Sequence, residues 1–134
     1  MPRPLPITKM HHLALAVRDT AVSRDFYCGV LGVREVERPP FDFPGAWLVG
    51  YGMQIHLLEK PEFAPSPEEQ PNSRGVHYAF ALNDPTELTA ILQEHGVRYV
   101  QKLNAGKIHQ TFFQDPDGHT IEVAVYPADP DFID

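Results

Sequence analysis

The strongest constraint on this chain is that it states one pattern twice. "HHLALAVRD" (11–19) and "VHYAFALND" (76–84) share a histidine, alternating small residues and a closing aspartate. His12 and His77 lie 65 residues apart, as do Asp19 and Asp84. The Gly-Val pairs at 32–33 and 96–97 lie 64 apart, and "QIHLLEKP" (54–61) aligns with "TIEVAVYP" (120–127) at an offset of 66. That last alignment sets His56 opposite Glu122. Two copies are too few for a solenoid, whose units need neighbours on both sides to bury a core. With 134 residues the chain suits a single domain. The expectation is one domain built of two modules, about 8–60 and 76–127, joined by a Pro-rich acidic linker at about 61–75.

Both copies give the same order of elements. Alternation predicts strands at 12–17, 33–38, 46–51 and 53–59, then at 77–82, 97–103, 108–114 and 119–126. A helix follows the first strand of each copy. In the first, Asp19 or Thr20 caps it, Val22, Phe26, Val30 and Leu31 fit one face, and Gly32 ends it. In the second, "DPTE" reads as Asp84 capping, Pro85 at the first helical position and Glu87 completing a capping box. Leu88, Ile91, Leu92 and His95 then follow at helical spacing, and Gly96 stops the helix. "DPDG" (115–118) marks a hairpin. The predicted class is α+β: two βαβββ modules forming a curved mixed sheet around a metal cavity.

Strand parity separates the faces. Leu13, Leu15, Val17, Ile55 and Leu57 face a helix, so His12, Ala14, Ala16, Gln54 and His56 face away. In the second copy Tyr78, Phe80, Leu82, Ile121, Val123 and Val125 face the helix, and His77, Ala79, Ala81, Thr120, Glu122 and Ala124 face away. In each of these four strands the residue singled out, His12, His56, His77 or Glu122, thus lies on the face away from the helix, among mostly small or polar neighbours, with Leu58 as the bulky exception. Three imidazoles and a carboxylate, His12, His56, His77 and Glu122, suit a divalent ion: Zn, Ni, Co, Mn or Fe(II). Without His56 the set becomes the two-His, one-carboxylate arrangement of non-haem iron enzymes. Spacing does not choose between three and four ligands. The other histidines have structural readings, except that His109 is a candidate for the substrate pocket. Cys28 lies within the first helix and reads as unreactive.

Charge and composition narrow the partners. A net charge of −7 argues against nucleic acid or an anionic membrane. No apolar run is long enough to span a bilayer. The first residues lack a signal-peptide core and the chain has one cysteine, which together predict a cytoplasmic protein. The acidic tail "PADPDFID" reads as solvated, or as a dimer contact through Phe132.

"HHLALAVRD…FYCGVLG" and "VHYAFALND…DPDGHTIEV" resemble the vicinal oxygen chelate superfamily of glyoxalases, bleomycin-binding proteins and extradiol dioxygenases, over about residues 8–127. "RPPFDFPGAWLVGYGMQIHLLE" (38–59) looks like the glyoxalase-I-like proteins of plants and bacteria. The resemblance implies metal ligands at His12, His77 and Glu122, with His56 at a fourth position where glyoxalase I has Glu. It implies a homodimer acting on a small molecule with vicinal oxygens, through a metal-stabilised enediolate-type intermediate, with Glu122 moving the proton. An Fe(II) extradiol dioxygenase is the alternative, with His109 and Tyr51 or Tyr126 as further candidates. A non-enzymatic binding protein is a third, against which the retained metal ligands argue.

Departures from the family pattern narrow the substrate. Ala16 stands where glyoxalase I places an arginine for glutathione. Ala14 and the residues after Glu122 lack the hydroxyl and basic group of the fosfomycin transferases. Phe41, Phe43 and Trp47 form an aromatic wall for an apolar or planar substrate, or else core. Arg74 is a candidate for an anionic substrate group.

Overall fold

Pairing within each half follows the duplication. The computed structural model describes residues 1–128; the tail beyond them, with Phe132, lies outside the described residues. The chain divides into two compact units, Met1–Phe63 and a second from Ala64 onward. The first contains β1 (His12–Val17), α1 (Thr20–Phe26), β2 (Arg34–Val36), β3 (Gly45–Gly50) and β4 (Met53–Glu59). The second contains β5 (His77–Ala81), α2 (Leu88–Glu94), β6 (Tyr99–Leu103), β7 (His109–Gln114) and β8 (Thr120–Ala124). Each unit carries one four-stranded sheet, ordered β1-β4-β3-β2 or β5-β8-β7-β6. The first strand of each pairs in parallel with the last, and the other pairs are antiparallel. The class is α+β, and both units are βαβββ.

Register carries the duplication down to single residues. Ala14 lies opposite His56 in one sheet, and Ala79 opposite Glu122 in the other. Bulky residues of the opposite parity form most of the cores, but in the second unit the Glu122 face is buried too, with Phe112 1% exposed beside it. Leu15, Val17, Leu48, Ile55 and Leu57 are buried in the first unit with Tyr27 and Val33; Leu92, Phe113, Ile121 and Val123 are buried in the second.

The helices differ from the sequence expectation in two ways. Asp19 caps α1, its Oδ1 accepting the Val22 N–H at 3.1 Å. The buried residues that follow are Ser23 and Tyr27, while Val22 is 52% exposed. A π-helical turn, Tyr27–Leu31, continues α1 until Gly32 ends it at φ 77°. Its extra residue per turn resets the phase, so a constant 3.6-residue period over 22–31 selects the wrong stripe. In the second unit no capping box forms. Asp84 Oδ1 accepts both the N–H and the hydroxyl of Thr86, a local turn that competes with helix. α2 therefore starts at Leu88, with Glu87 as a cap that makes no side-chain bond. Gly96, at φ 67°, ends it, and the Val97 N–H returns to the Leu92 carbonyl at 2.9 Å.

The Pro-rich segment has no strand, as its composition predicts, yet from Ser66 it is fastened to the second unit. The Glu68 N–H donates to Gln114 Oε1 at 2.9 Å, and Gln114 Nε2 returns a bond to the Glu68 carbonyl at 3.1 Å. Lys102 Nζ donates to the Ser73 hydroxyl. Gly118, in the β7–β8 turn, is so close to this strap that a Cβ there would lie 2.6 Å from the Ser66 carbonyl. Among the described residues no helix is long and apolar enough to cross a membrane.

Candidate metal centre

The second unit holds the better-defined pair. His77 heads β5 and Glu122 lies one strand over on β8, on the same face. His77 Nδ1 is 2.9 Å from the Gly75 carbonyl. A carbonyl only accepts, so Nδ1 carries a proton, and in the neutral ring Nε2 is the nitrogen with the lone pair. That Nε2 faces Glu122 Oε1 at 3.4 Å. The gap exceeds a charge-assisted hydrogen bond of about 2.7–2.9 Å. It equals the N···O edge of about 3.4 Å set by two metal bonds of about 2.0–2.2 Å at a tetrahedral angle.

Glu122 is only 4% exposed, and a buried carboxylate needs hydrogen bonds and a countercharge. Gln110 Nε2 donates to Oε1 at 3.1 Å, and the Tyr126 hydroxyl donates to Oε2. Gln110 lies on the Glu122 face of the second sheet, and Tyr126 follows just after β8. Burial first, then the bond to Glu122 and its negative charge, push the Tyr126 phenol well above its ordinary range, so it stays a donor. The ionic partner recorded for Glu122 among the described residues is His77, positive only when protonated. A cation therefore fits this donor set. Removing the phenol donor by Tyr126→Phe is expected to weaken divalent-metal affinity about 10- to 100-fold, the usual cost of losing a group that orients a ligand. Competition titration against a chromophoric chelator measures it.

In the first unit, His12 heads β1 and His56 sits on β4, opposite Ala14 on one side and Trp47 on the other. The His56 ring stacks on His12 at 4.0 Å between centroids and 16° between planes, and on Trp47 at 4.5 Å and 10°. Because β1 and β3 flank β4, these neighbours cover opposite faces of the imidazole. Burial first, then the charges of His12, His11 and Arg38, lower the His56 pKa, so the ring stays neutral near pH 7. Its Nε2 lies 3.1 Å from Gln54 Oε1. His12 is exposed, and its Nδ1 shares a hydrogen bond with His11 Nδ1 at 2.9 Å.

Aromatic residues continue from this stack. Phe41 lies 6.1 Å from Trp47 and stacks on Phe43 at 5.5 Å. Phe41 is exposed, and Phe43 and Trp47 are half-buried, so they line an accessible wall rather than the core of this unit. Arg38 lies over both phenyl rings, at 4.8 and 5.1 Å, and Nη2 donates to the Phe43 carbonyl at 3.1 Å. Among the described residues its buried Nε has no hydrogen-bond partner.

The candidate ligands thus form two pairs, His12 with His56 and His77 with Glu122. Among the described residues no three His, Cys, Asp or Glu side chains form a single cluster. Arg74 is exposed in the turn before β5, and His109 is exposed at the head of β7. Tyr51 occupies a turn at φ 56° and donates to the Leu31 carbonyl. Burial, then the Glu35 charge, raises the Cys28 pKa, the opposite of an activated thiol. Gln110 and Arg38 carry no motif. Parity alone places Gln110 on the Glu122 face, and Arg38 needed the loop conformation to be seen.

The profile of the Glyoxalase/Bleomycin resistance protein/Dioxygenase superfamily matches residues 9–123. "Glyoxylase I 4" of Arabidopsis thaliana is 36% identical over 129 residues, which span 90% of this chain and 72% of that protein. The uncharacterised protein YaeR of Escherichia coli is 33% identical over 131 residues, 89% of this chain and 97% of its own length. The crystal structure of a glyoxalase/dioxygenase from Nostoc punctiforme superimposes with a TM-score of 0.72 at 27% identity, covering 96% of this chain and 97% of that one.

Proposed function

Since the chain belongs to the glyoxalase/bleomycin resistance/dioxygenase superfamily, we propose that it is a divalent-metal-dependent enzyme of the glyoxalase type. It would act as a lyase or isomerase on a small molecule with vicinal oxygens. The observation that carries this reading is the His77–Glu122 pair: a lone pair and a buried carboxylate 3.4 Å apart, each fixed by its own hydrogen bonds. His12, His77 and Glu122 would hold the ion, and His56 stands at the fourth position of the family's set. Bound there, a divalent cation would supply Lewis-acid chemistry to an oxygenated substrate.

The chain's own residues supply the rest. Glu122 would accept a proton from substrate carbon and return it to the neighbouring position. Tyr126 and Gln110 hold its two oxygens, so the base does not rotate between the two transfers. Phe41, Phe43 and Trp47 offer a flat apolar surface for the substrate body. Ala16 in place of a cation points away from a glutathione adduct. By family analogy the active form is a homodimer.

The test is deuterium exchange. Protein stripped of metal and then loaded with Zn, Ni, Co, Mn or Fe(II) is incubated in D2O with a panel of α-hydroxycarbonyl compounds. Deuterium incorporation at the carbon next to the carbonyl, lost on stripping, is the expected result. Oxygen uptake with catechols on the Fe(II) form alone would move the assignment to a dioxygenase. Binding of unaltered ligand by stripped protein, with no exchange, would make it a sequestering protein.

A further inference from the structure

The stacked imidazoles decide how many ligands the chain supplies. A histidine binds a metal along a lone pair that lies in its ring plane. The His12 and His56 rings are stacked, 4.0 Å apart and 16° from parallel. Planes so nearly parallel meet far beyond the reach of a bond of about 2.0–2.1 Å. One ion therefore cannot lie in both planes, and only one of these rings can ligate it.

The surroundings say which. His56 is 8% exposed, covered by Trp47 on one face and His12 on the other, and its Nε2 is engaged by Gln54. His12 sits at the head of an edge strand, exposed. His11 engages only its Nδ1, which leaves Nε2 as its second nitrogen. We infer that His12 is the ligand and that His56 is not. His56 is a positioning residue, a flat spacer that joins the ligand ring to the wall of Trp47, Phe41 and Phe43. The inference rests on the metal reading above and narrows its four candidate ligands to three: two histidines and one carboxylate.

Co2+ alone is the probe. Equilibrium dialysis of the full chain is expected to give His56→Phe an affinity within about threefold of the parent, with His12→Ala weakened at least about 100-fold and Glu122→Gln likewise. Loss of Co2+ by His56→Phe to the level of His12→Ala, with the circular dichroism unchanged, would overturn the inference. If none of the three substitutions alters Co2+ binding, the metal reading itself fails. Pulsed electron paramagnetic resonance of the Cu2+-loaded parent needs no variant: two equatorial imidazoles are expected, and three would overturn the assignment.

Discussion

Glu122→Gln is expected to lower divalent-metal affinity by about 1,000-fold and to leave the metal-free protein within about 1 kcal/mol of its parent stability. The first half follows from ligand chemistry. Groups that merely orient a ligand cost about 10- to 100-fold when lost, and Glu122 is the carboxylate ligand itself. The second half follows from burial. The carboxylate is 4% exposed, and its recorded ionic partner is a histidine. Burying a charge without a permanent countercharge is costly, so the neutral amide removes a penalty. Against this stands a conflict between the new NH2 and the donors Gln110 and Tyr126, of which the phenol can turn and accept. Chelator competition and urea denaturation of stripped protein measure the two halves. A variant that is much less stable without metal would show that Glu122 serves the fold rather than an ion.

Gly118→Ala carries the largest expected loss of stability, about 3 kcal/mol. Two effects combine: φ there is 96°, and a Cβ would approach the backbone of Ser66 and Pro67 to 2.6–2.7 Å. Backbone cannot swing aside as a side-chain end can. The chain contains its own control. Gly52 has φ 75°, and a Cβ there would meet nothing within 4 Å, so Gly52→Ala should cost only the left-handed strain, about 1–2 kcal/mol. The excess at Gly118 measures the seating of the strap. Faster hydrogen exchange at the Glu68 amide, which Gln114 holds, should accompany it. Equal losses at the two glycines would show that the strap does not bear on the turn.

Much of this architecture was legible because duplication makes every reading twice testable. Alternation marked all eight strands, with shifts at their ends, and the 65-residue offset found His12 and His77 together. Sequence patterns failed where local chemistry competes. Thr86 takes the Asp84 carboxylate that would have capped α2, and the π-turn after Phe26 breaks the period that assigned Val22 inward. Of the candidate centre, ligand types and faces were readable, but ring orientation was not. Parity puts His12 and His56 on one face equally well whether their planes converge or stack, and only the rotamers separate those cases.

The hold on Glu122 has a consequence for how the group is aimed. Gln110 engages one carboxylate oxygen and Tyr126 the other, so the plane of the group is fixed from both ends while each oxygen keeps a further lone pair. Two uncharged side chains thus lock the direction in which a buried acid points without adding a charge of their own.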